Sequence, residues 1–435
     1  MKIVSALKPL PSPNQLLIIG WLSWLFFWII SRIRYEDGVS NKSLGLLASY
    51  SAIFLVGSKF AQLLFKAKNQ RYTIRNSSLT GSATVVNIFA LMGISGGLLN
   101  LYNQLNLNLA STLLIANARA IKNASDPGLR LQDLGTPLLC LGHVSFLAFY
   151  LTRKQSDLKT KILSSLALLF LLLNLLLAGG RTLLPVLLVS LILIQILNSY
   201  STQEIIANEN KGKKYLLTVF LFVLCVILFL LYTYFLMTGR LQQQGFSSLF
   251  TYLRFFENSR GIYTPDYISN VISSNGSDIL IIFAFLAFLL FYYVTHGVFE
   301  FSRTINWISD TQPSLGYGDA LFGSIGVALR PFLTDMPSSF YDAPSNGRYT
   351  TLFGSFTYDF GIIGAMIAIL IFSFVATRWY ITACQNSDIA SKIRYVVLSP
   401  VILFAPVFDC FGGAGGFYTL ISAQLFFFLH RSMRI

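Results

Sequence analysis

Residues 162–197 read ILSSLALLFLLLNLLLAGGRTLLPVLLVSLILIQIL. A helix that crosses a bilayer needs about 20 mostly apolar residues, so this run is long enough for two such helices. Gly179 and Gly180 divide the run, and glycine permits the tight turn that two adjacent helices require. The run therefore predicts a helical hairpin in the membrane, with its single charge, Arg181, at the tip.

The composition of the whole chain points the same way. Of 435 residues, 54% are hydrophobic and 11% are charged, and the mean hydropathy is +0.63. Soluble domains carry about 25% charged residues. The net charge of +14 would suggest a nucleic-acid partner for a soluble protein. Basic loops that face anionic lipid explain it more simply here, so we expect the lipid bilayer as a partner and no nucleic acid.

Apolar segments recur along the chain without an internal repeat or a low-complexity linker. The predicted fold class is all-α: a polytopic membrane protein of about 10–12 transmembrane helices, with one membrane domain over residues 1–435. We expect an insertion at residues 238–350 to lie outside the membrane or to re-enter it, and to contain short helices. The candidate spans are Leu16–Ile30, Leu44–Phe65, Ala83–Leu101, Leu134–Leu151, Ile162–Ala178, Thr182–Leu197, Tyr215–Met237, Ile279–Val294, Thr351–Ala376, Ile393–Phe408 and Gly416–Leu429.

The distribution of lysine and arginine predicts the orientation of the spans. Three strongly basic loops, at residues 66–75, 153–161 and 211–214, alternate correctly if the N-terminus is cytoplasmic. The turn at Arg181 and the insertion after Met237 then face outward. Basic residues near the C-terminus also suit the cytoplasmic side.

One segment conflicts with this alternation. If Ile279–Val294 crosses the membrane, the basic residues near the C-terminus end up outside. Either this segment enters and leaves on the outer side, or a further short segment such as Leu321–Phe332 supplies the missing pass. We favour a non-crossing or interfacial segment, because irregular backbone at membrane depth is tolerated where it lines a cavity.

The stretch from Arg240 to Asp359 carries every positive charge as arginine and none as lysine. The planar guanidinium group binds phosphate and carboxylate groups with two hydrogen bonds, whereas lysine offers a point charge. Carboxylates and many tyrosines are interleaved with these arginines, and both suit sugars. The stretch therefore predicts a site for a phosphorylated, glycan-like ligand beside the membrane.

Three residues are candidates for acid/base chemistry. His296 and Glu300 would share one face of a helix, and such a pair can act as a general base on a hydroxyl group; an interfacial polar pair is the alternative. Asp359 is a carboxylate within an apolar helix, with an arginine as its expected partner; a structural ion pair is the alternative. The cysteines lack metal-ligand spacing, and one His and one Glu are too few for a metal site, so we expect no metal and no cofactor.

The segment from Asn346 to Gly364 resembles a recurring C-terminal signature of the bacterial O-antigen polymerases (Wzy). In that family an Asn and a Tyr-Thr pair precede a helix with Asp-Phe-Gly, here at Asn346, Tyr349 and Asp359. The Gly-Gly-Arg181 turn is also similar to the family, as is the Tyr-x-x-His-Gly-x-x-Glu-Phe stretch that contains Glu300.

This resemblance implies a metal-independent oligosaccharide polymerase, a GT-C-like glycosyltransferase of the bacterial inner (cytoplasmic) membrane, with its active site on the periplasmic face. Such enzymes join O-antigen repeat units of lipopolysaccharide. Both the donor and the acceptor are oligosaccharides linked to undecaprenyl pyrophosphate, and undecaprenyl pyrophosphate leaves. A chain-length regulator protein is a further candidate partner.

Under this interpretation the protein must stabilise a departing pyrophosphate and deprotonate an acceptor hydroxyl group. Glu300 is the first candidate for the general base, His296 the second and Asp359 the third. The residues expected to contact pyrophosphate or sugar are Arg181, Arg240, Arg330, Asn346, Arg348 and Tyr349. Arg181 could instead extend from a helix end towards the aqueous phase.

Two other functions remain open from the sequence. An O-antigen ligase would use the same donor but would transfer the glycan to lipid A core. A flippase or transporter for lipid-linked oligosaccharide would need polar residues in the membrane, but transporters often show paired repeats, which this chain lacks. A purely structural membrane subunit does not explain the density of arginines and carboxylates.

Overall fold

A computed structural model of the chain describes residues 10–68, 80–109, 134–178, 183–202, 234, 245–246, 248–273, 278–313, 315–316, 318, 320–321, 350–385, 388–411 and 414–433. These ranges are almost entirely helical, and the sheet within them is one short antiparallel pair of strands. The all-α fold class is therefore confirmed.

The elements follow one another along the chain, and every helix is named here by its order. They are α1 (Pro13–Ser31), β1 (Arg34–Tyr35), α2 (Asn41–Lys68), α3 (Thr80–Leu109), α4 (Gly135–Thr152), α5 (Leu158–Ala178), α6 (Leu183–Thr202), α7 (Leu249–Arg260), β2 (Ile262–Tyr263), α8 (Asp266–Ser273), α9 (Asp278–Thr311), α10 (Leu352–Gln385), α11 (Ile389–Leu403) and α12 (Ala414–Ser432).

The chain is a polytopic membrane protein. Among the described residues, 7 helices are long and apolar enough to cross a membrane: α1 to α5, α9 and α10. Large apolar side chains such as Ile29 (62% exposed) and Ile363 (75%) stand on outward faces, as helices in lipid require. α6 is a shorter apolar helix, while the predicted span Tyr215–Met237 lies outside the described residues except for Tyr234. The total of about 10–12 spans therefore stays a prediction.

Hydrogen bonds between helices fix the relative directions of α1, α2 and α10. Asn14 Nδ2 donates to the Leu55 carbonyl and Trp21 Nε1 donates to Ser51 Oγ, so α1 and α2 are antiparallel. Thr357 contacts the Tyr50 hydroxyl and Thr377 contacts Ser58, so α10 runs parallel to α2. We call the end of the bundle where α1 ends and α2 begins the α1–α2 end.

The last three helices alternate in direction. The Leu352 amide donates to the Ala405 carbonyl, so α10 begins where α11 has just ended, at the α1–α2 end. At the opposite end the rings of Tyr380 and Tyr395 lie 5.3 Å apart, where α10 ends and α11 begins. α12 ends there too, because His430 lies beside Asp388. These directions agree with the alternation that the basic loops predict.

Small residues bring α3 and α4 into backbone contact. The Cα position of Gly93 faces Gly142 so closely that a Cβ atom would overlap it, and Gly96 faces the amide of Leu139 in the same way. Ser145 Oγ donates to the Val86 carbonyl across the same interface. Close packing of this kind stabilises helix pairs in lipid, where the hydrophobic effect gives little help.

Gly361 interrupts α10 with φ 70° and ψ 178°, a conformation that is essentially restricted to glycine. A Cβ atom at Gly364 would meet only Phe360 of its own helix. Gly361 therefore breaks α10 two residues after Asp359.

The predicted ambiguous segment Ile279–Val294 belongs to α9, which continues without interruption to Thr311. The chain does not turn back within Ile279–Val294. The prediction that this segment enters the membrane and returns to the same side within itself is therefore wrong. The second half of α9 contacts the chain between α1 and α2: Ser302 Oγ accepts from the Ser40 amide, and Lys42 Nζ donates to Ser309 Oγ. The C-terminal half of α9 therefore lies at the α1–α2 end.

The first half of α9 is tied to the same end. It packs against α7 through Phe256 and Phe288, and α7 leads into a turn in which the Glu36 amide donates to the Gly261 carbonyl. α8 also packs against α9, and Tyr267 Oη of α8 donates to the Ser31 carbonyl at the end of α1. Although α9 is long enough to cross, its contacts favour the non-crossing alternative.

The glycine contact between α3 and α4 predicts a difference between two Gly→Ala variants. Gly93→Ala forces the backbones apart, and overpacking of this kind costs about 1–3 kcal/mol. Gly45→Ala is the matched control, because its Cβ atom meets nothing within 4 Å and alanine favours a helix. Thermal unfolding in detergent should show a lower Tm for Gly93→Ala alone. Equal Tm values would contradict the close contact.

The placement of α9 predicts which residues face the same side of the membrane. Single cysteines are introduced at Ser273, just before α9, and at Asp310, near its C-terminal end, into a variant whose native cysteines are replaced by alanine. Both should react with an impermeant maleimide from the same side as Asp37→Cys. Lys154→Cys, between α4 and α5, should react only from the other side. Labelling of Ser273→Cys and Asp310→Cys from opposite sides would show that α9 crosses.

Candidate functional site

His296 and Glu300 lie one turn apart on α9, as the sequence predicted for a helix. Both side chains are buried, with 1% and 3% exposed. His296 Nδ1 lies 2.9 Å from the Tyr292 carbonyl, and a carbonyl can only accept, so Nδ1 carries the proton. Nε2 is then the nitrogen able to accept a proton. The Tyr292 ring stacks on the imidazole at 4.8 Å.

Glu300 belongs to a chain of charges that leads outward from the protein interior. Arg303 Nη1 donates to Glu300 Oε1 at 3.3 Å, and Arg303 Nε donates to Asp37 Oδ2 at 3.0 Å. The side chains are 4% exposed for Glu300, 17% for Arg303 and 60% for Asp37. One guanidinium group therefore joins a buried carboxylate to an exposed one. We call these three residues, with Glu36 and Gly261, the Arg303 cluster.

Gly261 allows the cluster to form. It ends α7 in the left-handed conformation, with φ 58°, and its amide donates to the Glu257 carbonyl. A Cβ atom there would lie 2.8 Å from Arg303 Nη2 and 3.0 Å from Glu36 Oε2. Glycine thus satisfies both the positive φ and the close approach of the charged groups. β1 pairs with β2 beside this turn, with Arg34 opposite Tyr263.

Tyr35 closes the other side of the cluster. Its ring stacks on Phe299 with 3.5 Å between centroids, and its hydroxyl group shares a 3.0 Å hydrogen bond with Thr295. Burial raises the pKa of Tyr35 well above its usual range, so the hydroxyl group stays protonated. Trp24 Nε1 donates to the Thr295 carbonyl from α1. Aromatic side chains therefore surround the two α9 candidates.

A second buried carboxylate at this end has a structural role. Glu257 is 4% exposed, and its Oε1 accepts the Thr264 amide at 2.7 Å. Its Oε2 accepts from Arg254 Nη1 at 2.9 Å. Oε1 thus holds the turn between α7 and α8, whereas Oε2 pairs with an arginine of its own helix, as Glu300 Oε1 does on α9.

Asp359 is fully buried and anchors a neighbouring segment. Its two oxygens accept the amides of Ala320 and Leu321, each at 2.9 Å. The Gly316 amide donates to the carbonyl of Tyr358, which directly precedes Asp359. The sequence predicted an arginine as the partner of Asp359, whereas these two partners are backbone amides. The contacts favour an anchoring role for this carboxylate.

The other predicted site residues lie outside the described residues: Arg181, Arg240, Arg330, Asn346, Arg348 and Tyr349. Described residues beside two of them contact the chain on either side of the start of α12. Leu183, which follows the Gly-Gly-Arg181 turn, packs against Gly415. Thr350, which follows Tyr349, accepts the Asp409 amide at 3.0 Å. Both contacts lie at the α1–α2 end.

Sequence reasoning missed the loop residues of the Arg303 cluster. Glu36 and Asp37 are the only acidic residues before Asp126, and they occupy the short connection between two predicted spans. This isolation was a usable signal, since an acidic pair in a basic chain suggests a cationic partner. The sequence does not show that this partner is Arg303, because Arg303 lies 266 residues further along the chain than Asp37.

Among the described residues there is no group of three or more His, Cys, Asp or Glu side chains that could hold a metal ion. Comparisons of the chain with protein-family models, curated proteins and solved structures gave no match.

The Arg303 cluster predicts a coupling between two substitutions. Arg303→Gln removes the guanidinium group from beside the buried carboxylate and should lower the free energy of unfolding by about 1–3 kcal/mol. Adding Glu300→Gln removes the buried charge and should recover part of this loss, as measured by thermal unfolding in detergent. Asp37→Asn, at the exposed end, should cost less than about 1 kcal/mol. A double variant no more stable than Arg303→Gln would rule out the ion pair.

Proposed function

We propose that this protein is a glycosyltransferase of the O-antigen polymerase type. It would join oligosaccharide repeat units carried on undecaprenyl pyrophosphate, at the periplasmic face of the bacterial inner membrane. Two things support the proposal: the sequence resemblance around Asn346–Gly364 and the chemistry available on α9. The observation that carries it is Glu300, a buried carboxylate one turn from His296 in a membrane protein.

The reaction needs a base on the acceptor side. The acceptor hydroxyl oxygen bonds to the anomeric carbon of the donor while the bond from that carbon to pyrophosphate breaks. Undecaprenyl pyrophosphate leaves with the electron pair, and the hydroxyl proton goes to Glu300. Positioned general bases contribute about 10²–10⁴ in rate. His296, through Nε2, is the second candidate, and the amide contacts of Asp359 make it the third.

The leaving group needs cations, because negative charge develops on pyrophosphate as the bond breaks. Arg303 already contacts two carboxylates, so we assign pyrophosphate contact to other arginines. They are Arg181, Arg240, Arg330 and Arg348, with Asn346 and Tyr349 on the sugars. Leu183 contacts Gly415 in the first turn of α12, and Thr350 contacts Asp409 just before that helix. This proximity supports a shared site for the first and the last of these arginines.

The function predicts that Glu300→Gln abolishes polymer while the fold survives. The variant should lower the rate by about 10² or more, because the amide cannot take the proton. Polymer is measured in membranes supplied with lipid-linked repeat units. Asp310→Asn is the matched control: it removes an exposed carboxylate near the end of the same helix and should leave the rate unchanged.

The double variant Glu300→Gln/Arg303→Gln separates chemistry from stability. It should regain thermal stability relative to Arg303→Gln and remain inactive. A folded Glu300→Gln protein that makes polymer of normal length would exclude Glu300 as the base.

Gel analysis of lipopolysaccharide from a deletion strain tests the function itself. A polymerase defect leaves a single repeat unit attached to lipid A core, whereas a ligase defect removes all attached units. Translocation of lipid-linked oligosaccharide by proteoliposomes, without formation of a glycosidic bond, would instead identify a transporter.

A further inference from the structure

A buried arginine lies at the end of the bundle opposite the α1–α2 end. Arg394 occupies the second turn of α11 and is 7% exposed. Its guanidinium carbon lies 3.7 Å from the ring centroid of Phe427 in α12 and 4.6 Å from that of Trp379 in α10. The side chain therefore fills the space where three helices meet.

Arg394 Nε is a buried hydrogen-bond donor that has no acceptor among the described residues. The carboxylate in its surroundings, Asp388, accepts from the amide and the hydroxyl group of Ser391 and lies 3.3 Å from His430. Burying a charge is costly unless it is paired and hydrogen-bonded, so the site calls for a further acceptor.

More positive charge surrounds the same position. Arg378 and Arg431 are charged neighbours of Arg394, and Arg431 lies 4.3 Å from the Phe427 ring that Arg394 also contacts. Lys392, on the same helix, lies near Asp388. One aspartate thus faces several cations, and like charges repel one another, so a further anion at this position stabilises the group.

Helix dipoles do not account for Arg394. Arg431 sits in the last turn of α12, where the dipole favours a cation, and exposed arginines at helix ends commonly extend to the aqueous phase. Arg394 instead lies near the N-terminus of α11, where the dipole favours an anion. Its burial there needs another source of stabilisation.

We propose that this cluster of cations binds the phosphate headgroup of an anionic phospholipid. The guanidinium fork of Arg394 donates to the phosphate oxygens, with Arg378, Arg431 and Lys392 around them. The second turn of α11 is within about 8 Å of the helix start, a depth suited to a headgroup. Leu425 and Phe428 of α12 are 43% and 57% exposed, so acyl chains can lie along the adjacent helix surface. Basic pockets between membrane helices bind such headgroups.

Native mass spectrometry and thermal unfolding of the full-length protein in a zwitterionic detergent test the proposal. Phosphatidylglycerol should bind and raise the Tm, whereas phosphatidylcholine should not. Arg394→Met, which keeps an apolar stem against the two rings, should weaken phosphatidylglycerol binding at least about tenfold. Arg153→Met is the matched control, because this exposed arginine also lies over a tyrosine ring, 4.7 Å from Tyr150, at the same end of the bundle.

Two further arms keep the test decisive. If Arg394→Met does not fold, Arg378→Gln and Arg431→Gln remove exposed charges of the same cluster and should each weaken binding several-fold. Inorganic phosphate at millimolar concentration should leave the Tm unchanged. The proposal is overturned if every variant that folds binds phosphatidylglycerol with wild-type affinity. It is also overturned if inorganic phosphate raises the Tm as much as phosphatidylglycerol does. The readouts require no polymerase activity.

Discussion

Arg303 fastens α9 to the start of the membrane bundle, because it pairs both with Glu300 of its own helix and with Asp37 between α1 and α2. Glu300 is buried, so it needs a nearby cation, and Arg303 meets that need while its other edge reaches Asp37 between α1 and α2. The same guanidinium group approaches Gly261 so closely that no side chain fits there. One arginine thereby determines the positions of a helix, a loop and a turn that are far apart in sequence.

The position of α9 follows from these attachments. A 34-residue apolar helix spans about 50 Å, more than the thickness of the hydrocarbon core, and by length alone it would cross. Its polar side chains are concentrated in its second half, and they find partners at residues 35–42. Moving that half to the far side of the membrane would separate Arg303 from Asp37 and would break the hydrogen bonds with Ser40 and Lys42. These polar contacts, and not the length of the helix, therefore decide the position of α9.

The sequence predicted those features that depend on residues near one another in the chain. Apolar runs located the helices, and the four-residue spacing of His296 and Glu300 placed them on one face. The sequence did not predict the partner of Glu300, because the contacts to Asp37 and Gly261 join distant segments. It also did not predict the break at Gly361, since a glycine in an apolar helix reads equally well as a packing residue or as a position with positive φ. The sequence did not predict the backbone amides as partners of Asp359, because Ala320 and Leu321 lie 39 and 38 residues earlier in the chain.

Arg303 and Arg394 show that the role of an arginine in this fold depends on the groups that surround it. Arg303 lies between two carboxylates, so its charge is neutralised by the protein and it serves to hold Glu300 in place. Arg394 is as firmly packed, but it lies among other cations and near the N-terminus of its helix. Since a buried arginine needs acceptors wherever it lies, the acceptors for Arg394 have to come from outside the described residues. The proposed lipid phosphate beside α10, α11 and α12 supplies these acceptors, so the same residue type pairs with carboxylates of the protein at one end of the bundle and with a lipid headgroup at the other.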